Sequence, residues 1–387
     1  MTFAGMLAGR RFGYAWDRDW LLSADADFVI TGTIRKSGMM PEGPFGDHLG
    51  YYSLQHPFPV MDVETVWHRK DPIWHFTVVG RPPAEDSQFG YLIHQIVKDL
   101  TPGEFPGIKQ INAVDEAGVH PLLLAIGSER YMPFREDGQM LVPEEIITQA
   151  NRIVGSGQTS LAKYCIIADG SNDPGLDADD QPAFFQHVLE RFDPRRDLHF
   201  QTRTTIDTLD YSGSDWNSGS KLIWAVRGNK RRELSAELPK GFTLPEGFTN
   251  PEFIAPGILA VAGPPVPGAD PNPDRLATHP AGADNKVERN AASARQALED
   301  LQRFTTADFG IEPSEILAAG IGMIVVCDDS AFMAEDFGNF IWATFTRSNP
   351  SHDMYGIGAS TEHKHWGCNG PLVVDARVKP WHAPGLV

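Results

Sequence analysis

Two segments of the chain carry the same sequence frame, and this internal repeat limits the possible folds more than any other feature. A short apolar run ends in aspartate at Ile166-Ile167-Ala168-Asp169 and again at Val325-Val326-Cys327-Asp328. A helical segment follows each run and is followed by arginine, proline and aspartate at one spacing: Arg191, Pro194 and Asp197, then Arg347, Pro350 and Asp353. Reuse of a helix-ending motif would explain each frame locally, but not both contexts. The frame predicts a duplicated strand–helix unit.

The wider pattern after residue 118 agrees with this interpretation. Apolar runs that predict strands alternate with segments of helical periodicity. The predicted strands are 122–126, 164–168, 258–262 and 323–327, and the predicted helices are 142–153, 183–190, 287–304 and 337–346. Residues 237–284 are rich in proline and glycine, which indicates an irregular insertion. We therefore predict an α/β domain over residues 119–387.

Residues 1–118 show a different rhythm, which predicts mainly β structure. Segments 28–34, 60–67 and 73–79 have strand character, and the turn residues between the last two predict a hairpin. A helix should follow, because Phe89, Leu92, Ile93 and Ile96 recur on one helical stripe. The pattern predicts an antiparallel sheet or barrel with a helix packed across it.

An acid loop, defined as residues 41–48, places Glu42 and Asp47 five residues apart between prolines and glycines. These prolines and glycines exclude regular helix or central strand. Its flanks are apolar: Met39, Met40, Phe45, Leu49, Tyr51 and Tyr52. In apolar surroundings, one carboxyl group of a close pair tends to keep its proton near neutral pH and can act as an acid. An irregular, well-packed turn is the alternative interpretation.

The composition limits the classes of molecule that the protein can bind and the cellular compartment in which it is expected. The net charge of −18 disfavours nucleic acid and anionic membranes. No apolar run has the length of a membrane span. Three scattered cysteines predict buried thiols in a reducing cytosol, so we expect a cytoplasmic protein. Glycine-rich nucleotide-binding loops and a serine-hydrolase elbow are both missing from the sequence.

Several motifs together resemble the UbiD family of prenylated-flavin-dependent decarboxylases. The acid loop is similar to the family's signature loop. Further similar segments are Asp71-Pro72-Ile73, Gly80-Arg81-Pro82-Pro83, Ile206-Asp207-Thr208-Leu209-Asp210-Tyr211, Gly219-Ser220-Lys221, Cys327-Asp328-Asp329 and Trp342-Ala343-Thr344. The family normally carries one copy of the αβ unit, so this chain resembles a longer variant.

The resemblance implies a fold and a reaction. Residues 1–118 would be the C-terminal part of a split, flavin-reductase-like β-barrel that binds cofactor, followed by an enlarged, internally duplicated α/β domain. The reaction would be reversible decarboxylation of an aromatic or α,β-unsaturated carboxylic acid with prenylated FMN and a divalent metal, usually manganese. Asp47 would be the proton donor to the substrate carbon. Glu42 would be the partner acid that contacts the cofactor.

The chain also departs from the family pattern. The family's signature loop follows a long N-terminal portion that supplies the catalytic arginine, most phosphate contacts and the metal-binding Asn, His and Glu. Here Thr2 stands near the place of that glutamate. We therefore expect most cofactor ligands outside this chain and assign no metal ligand within it. A carboxy-lyase that forms a homo-oligomer is the leading hypothesis. A non-catalytic fragment or half-enzyme with a partner chain is the alternative, and a flavin oxidoreductase is a weaker third.

Other residues carry weaker predictions. Arg81 could contact a flavin phosphate or cap the next helix with Glu85, and Lys221 could contact an anion. His363, His365 and Cys368 suggest a metal site without a clear further ligand. His187 and His199 are expected to be packing or surface residues.

Overall fold

A computed structural model describes residues 2–53, 55–131, 141–214, 217–269, 291–383 and 385. These residues form two units. The first contains described residues 2–45 and 55–78, and the second contains the others.

The strands, in chain order, are β1 (Tyr14–Asp17), β2 (Trp20–Ser23), β3 (Phe28–Ile34), β4 (Met40–Glu42), β5 (Gly46–Asp47), β6 (Tyr51–Tyr52), β7 (His56–Phe58), β8 (Met61–His68), β9 (Gln110–Ala113), β10 (Leu122–Gly127), β11 (Tyr164–Asp169), β12 (Leu198–Thr205), β13 (Ser218–Val226), β14 (Thr249–Ala255), β15 (Ile258–Ala262), β16 (Met323–Cys327), β17 (Met354–Gly356), β18 (Ala359–Glu362), β19 (His365–Cys368) and β20 (Leu372–Asp375). The α-helices are α1 (Thr2–Leu7), α2 (Asp86–Val97), α3 (Thr101–Glu104), α4 (Glu145–Val154), α5 (Gln181–Arg191), α6 (Ala291–Thr305), α7 (Pro313–Ala318), α8 (Ser330–Glu335), α9 (Phe337–Thr346) and α10 (Pro350–Asp353).

The first unit contains three separate antiparallel ladders, which pair β1 with β2, β3 with β8 and β4 with β7. The ladders do not close into a barrel within the described residues, so the split barrel stays a prediction. The strands predicted at 28–34 and 60–67 are confirmed, but the strand predicted at 73–79 is wrong. That segment forms no ladder in the described part of the chain, and β8 pairs with β3 instead. Alternating side chains indicate an extended backbone but not a partner strand, and the amide of Ile73 is bound by the carboxylate of Asp27 at 3.0 Å.

The two sheets of the second unit share one topology. The first has the order β12-β13-β11-β10-β9 and the second has the order β14-β15-β16-β20-β17. Each has three central parallel strands. In each sheet, one antiparallel edge strand precedes the central strands in the chain, and the other edge strand lies between the second and the last central strand. In the second sheet, the hairpin of β18 and β19 also lies between this edge strand and the last central strand. The predicted mixed α/β fold is confirmed.

Three apolar cores lie on the faces of these sheets. One contains residues of both sheets together with Phe185 of α5 and Phe340 of α9. The opposite face of the first sheet packs on α4, and that of the second packs on α6. Parallel strands covered on both faces are apolar throughout, and every residue of β10, β11 and β16 is buried. Continuous apolar runs were therefore a reliable strand signal.

The predicted insertion at 237–284 is only partly irregular. β14 and β15 form an antiparallel pair within it, and residues 270–284 lie outside the described residues. β14 was missed because it contains Pro251, which an edge strand tolerates.

Helix α2 confirms the helix predicted after residue 85, but not its packing. The side chains of Phe89, Leu92, Ile93 and Ile96 are 55–64% exposed. The packing of a sheet across this stripe stays a prediction. None of the helices described is both long and apolar enough to cross a membrane. The three cysteines are free and buried, as predicted.

The repeated frame makes the same hydrogen bond in both copies. After α5, the Asp193 amide donates to the carboxylate of Asp197 at 2.8 Å; after α9, the Asn349 amide donates to the carboxylate of Asp353 at 2.7 Å. The aspartate of each frame thus fixes the turn that leaves a helix.

Asp197 should make folding stability depend on pH. Burial raises its pKa from 3.8 to about 6, although the Arg196 guanidinium opposes the shift. Between these values the folded state binds a proton that the unfolded state has lost. The wild-type free energy of unfolding, relative to that of Asp197→Asn, should therefore fall as pH rises through this window, by up to about 3 kcal/mol. Urea titrations of both proteins at several pH values measure the difference, and a constant difference would contradict the prediction.

Candidate functional site

Asp47 lies in the second unit, in the short pair formed by β5 and β6. Its Oδ1 accepts hydrogen bonds from the backbone amide of His48 at 2.8 Å and from Nδ1 of the same residue at 3.0 Å. The side chain is 18% exposed. Among the described residues, Oδ2 has no hydrogen-bond partner. Oδ1 of Asp47 is thus held by His48, and Oδ2 is available to carry a proton or to contact another molecule.

The segment after Asp47 is anchored by helix α9, which belongs to the second repeat. Trp342 Nε1 donates to the carbonyl of Leu49 at 3.0 Å, and the Trp342 ring stacks on Tyr51 with centroids 5.5 Å apart. The Tyr51 hydroxyl lies 2.8 Å from Oγ1 of Thr346. Gly50 permits this contact, because its φ is +83° and a Cβ there would lie 2.8 Å from Trp342 Nε1. The second repeat therefore positions the proton donor predicted in the acid loop.

Glu42 belongs to the first unit, where it is exposed at the end of β4. Its neighbours Met39, Met40 and Phe45 are also 45–62% exposed, whereas Leu49 and Tyr51 beside Asp47 are buried. The predicted apolar surroundings are found on the Asp47 side of the loop only. The catalytic roles of both acids stay predictions.

Beside Asp47 lies a group that sequence reasoning did not assemble: His48, His120 and Asp207. The two imidazole rings meet edge to face with centroids 5.9 Å apart, and His120 Nδ1 bonds the Asp207 carboxylate. Each residue offers one ligand atom, and these atoms all lie within 4.8 Å of one another. Burial lowers the pKa of His48, but contact with Asp47 and the nearby acids outweigh it, so the net shift is upward. Burial raises the pKa of Asp207, but His120 and the Leu209 amide reverse this shift.

Topology explains why these residues meet. His120 comes just before β10, and Asp207 comes just after β12. β12 runs antiparallel to the central strands, so its end lies at the edge where those strands begin. Only knowledge of the strand directions would have brought the two residues together.

Arg81 lies against aromatic rings instead of capping α2 with Glu85. Its guanidinium carbon is 5.2 Å from the ring centroid of Phe332 and 5.1 Å from that of Trp342. Apart from these rings, it has no ion pair or hydrogen bond among the described residues.

Arg81 also lines a cleft of about 520 Å³ at the starts of α5 and α9. Asp180 and Asp336 cap these helices through the amides of Ala183 and Gly338. Amides at the starts of both helices already donate to these carboxylates, and the negative charge of the carboxylates would repel a phosphate. The contact of Arg81 with a flavin phosphate stays a prediction that this cleft does not support.

Lys221 does not suit the predicted anion contact. It is 1% exposed, and its ammonium group donates to the carbonyls of Ser160, Ala162 and Thr205 at 2.5–2.8 Å. All three of its N–H donors are used within the sheet domain. Burial lowers its pKa to about 8.

The remaining histidine candidates behave as packing residues. His187 is buried beside Asp173 at 3.2 Å, and His199 faces His365 with ring centroids 5.2 Å apart. Burial and the proximity of His365 lower the pKa of His199 to about 4. The thiol of Cys368 points to the carbonyl of Gly370 at 3.4 Å. A three-ligand group is found only at His48, His120 and Asp207 among the described residues, so the suggested site at 363–368 gains no support.

The described residues do not by themselves form a flavin site. Lys221 has no donor left for a phosphate, Arg81 lies in a cleft rich in carboxylates, and Glu42 is exposed. Lys221 and Arg81 therefore do not fit the anion contacts predicted for them, and the role of Glu42 stays a prediction.

Family models match the first and middle parts of the chain. The 3-octaprenyl-4-hydroxybenzoate carboxy-lyase Rift-related domain matches residues 1–82, and the C-terminal domain of the same carboxy-lyase, named UbiD_C, matches residues 87–226. The second sheet lies beyond both matches.

Curated relatives match nearly the whole chain. A 4-hydroxybenzoate decarboxylase subunit of Chlamydia pneumoniae is 30% identical over 98% of this chain and 56% of its own length. An uncharacterized protein of Chlamydia trachomatis is 31% identical over 93% of this chain and 52% of its own. The chain thus spans about half the length of these relatives. Among solved structures, vanillic acid decarboxylase of Sedimentibacter hydroxybenzoicus has a TM-score of 0.47 at 20% identity, covering 62% of this chain and 50% of that one.

Proposed function

This chain belongs to the UbiD family of carboxy-lyases, and on that premise we propose that it provides the proton-donating part of a decarboxylase. The substrate would be an aromatic or α,β-unsaturated carboxylic acid, and the reaction would be non-oxidative and reversible. The observation that carries the proposal is the geometry of Asp47, which has one oxygen held and the other available.

Loss of CO2 from an sp2 carbon leaves electrons that no side chain can delocalise, and prenylated FMN, when bound, would accept them. We propose that most residues binding this cofactor and its divalent metal lie outside this chain, because Lys221 and Arg81 do not supply them. Glu42 would complete the acid pair.

Asp47 would protonate the carbon that has lost its carboxylate. Its Oδ1 accepts two hydrogen bonds from His48, so a proton on this carboxyl group resides on Oδ2. Tyr51, which pairs with Asp47 in the β5–β6 ladder, and Leu49 are both buried, so the backbone that carries Asp47 is held in place. A donor fixed in this way can reach a substrate carbon without reorganising.

The experiment is carboxylate exchange by the chain co-produced with a flavin prenyltransferase. With 4-hydroxybenzoate and 13C-bicarbonate, entry of 13C into the substrate carboxylate, together with flavin absorbance of the purified protein, would show that this chain is active without further cofactor-binding residues. The proposal fails for this chain alone if neither signal is seen with a panel of aromatic and unsaturated acids.

A second candidate is a protein that works only with another chain. The exposed apolar stripe of α2 favours it, because a contiguous apolar surface often marks an interface. The relative in Chlamydia pneumoniae is itself named as a subunit. Exchange activity that arises only when the chain is mixed with a separately produced cofactor-binding chain would support this candidate over the first.

A further inference from the structure

We propose that His48, His120 and Asp207 bind one divalent transition-metal ion of the zinc type, which joins the acid loop to the edge of the first sheet. The three residues come from segments far apart in the sequence, and their ligand atoms lie within 4.8 Å of one another. Two imidazoles and one carboxylate form a donor set that suits zinc and similar ions. The site is independent of the proposed reaction.

The spacing of the rings fits a shared ion. An imidazole that binds zinc through nitrogen at 2.0–2.1 Å has its ring centroid about 3.2 Å from the ion. Two such rings at a tetrahedral angle have centroids about 5.2 Å apart. The observed 5.9 Å between His48 and His120 needs only a small closure.

The contacts around the group leave suitable ligand atoms. Asp47 lies 3.0 Å from Nδ1 of His48, which leaves Nε2 as the ligand nitrogen. Asp207 Oδ1 accepts the Leu209 amide at 2.9 Å, and Oδ2 contacts Nδ1 of His120. An ion shared by Oδ2 and Nδ1 would replace this hydrogen bond and would move the two atoms apart to the spacing of two metal ligands. A carboxylate on the far nitrogen of a ligating histidine fixes the ring and is typical of metal sites.

Burial and charge also favour a cation. The side chain of Asp207 is 6% exposed, while those of His48 and His120 are each 25% exposed. An ion can therefore enter from solvent and keep a water ligand. The carboxylates of Asp47, Asp86 and Asp207 all act electrostatically on His48, so a divalent cation would neutralise a concentration of negative charge.

This ion is distinct from the metal that, by the resemblance, accompanies the flavin. The resemblance assigns no ligand of that flavin-associated metal to His48, His120 or Asp207. The ion would have a structural role. His48 follows Asp47 directly, so an ion held by His120 and Asp207 would fix residues 46–48 against the first sheet.

The test is metal binding by the full chain after removal of metals with EDTA, without flavin or substrate. Titration with Zn2+ in a calorimeter should show one site per chain, and Co2+ should give visible absorption bands typical of nitrogen ligation. His120→Gln and Asp207→Asn should weaken Zn2+ binding by at least about tenfold. His75→Gln is the matched control, because His75 is exposed and lies outside the helices and strands.

Three results would overturn the proposal: no stoichiometric binding by the wild type, equal binding by both triad variants, or a Co2+ spectrum of oxygen ligation only. Since the wild-type spectrum is informative by itself, a variant that fails to fold does not remove the test. The readout needs no catalysis, so its failure and the failure of the proposed decarboxylation are separate results.

Discussion

Replacing Asp47 with asparagine should lower the rate of carboxylate exchange by about 10²- to 10⁴-fold, the range usual for loss of a general acid. Asparagine keeps the shape of the side chain and can still accept the bonds from His48, but it has no acidic proton for the substrate carbon. Flavin absorbance should be unchanged, because the substitution removes a proton donor and not a cofactor contact. Label incorporation from 13C-bicarbonate measures the effect.

Asp173→Asn is the matched control. Asp173 is also an aspartate that contacts a histidine, His187, at 3.2 Å, but it lies outside the acid loop. Its variant should exchange carboxylate at the wild-type rate. Equal rates for Asp47→Asn and the wild type would remove Asp47 from its proposed role.

Replacing Arg377 with methionine should destabilise the second unit by about 3–5 kcal/mol, which is the usual cost of removing one partner of a buried ion pair. The guanidinium is fully buried and bonds both carboxylate oxygens of Asp375 at 2.9 Å. It also reaches the carboxylate of Asp300 at 3.1 Å and the carbonyl of Pro264 at 2.8 Å. Methionine fills part of the volume but removes the buried guanidinium that the carboxylates of Asp375 and Asp300 share. Urea unfolding followed by fluorescence measures the loss.

Arg303→Met provides the control for this experiment, because Arg303 pairs with the same Asp300 at 3.2 Å but has a side chain that is 52% exposed. Exposed pairs contribute little, so this variant should lose less than about 1 kcal/mol. Similar losses for the two variants would show that the buried network does not hold the second sheet together.

Sequence reasoning performed well where local chemistry decides the structure. The runs at 122–126, 164–168 and 323–327 are strands because parallel strands covered on both faces must be apolar throughout. The helix predicted at 337–346 agrees with α9, whose side chains pack between the sheets. These features need only short-range information.

The predictions that failed share one physical cause: the pairing of strands and the contacts between side chains depend on residues that are distant in the sequence. Trp74, Phe76 and Val78 alternate as in a strand, yet no partner ladder forms among the described residues. Asp207 belongs to a sequence motif, but its contact with His120 follows from the antiparallel direction of one edge strand. The burial of Lys221 beneath three carbonyls was likewise invisible in its sequence neighbourhood.

The contacts of Trp342 and Thr346 with Leu49 and Tyr51, just after the acid loop, bear on how such a protein can change during evolution. The repeat that carries these two residues lies beyond the family models, yet it holds the segment that directly follows the loop most similar to the family's. Gene truncation after residue 226 would spare Asp47 while removing its brace. Selection on the chemistry would then also preserve the duplication, and the two should be inherited together.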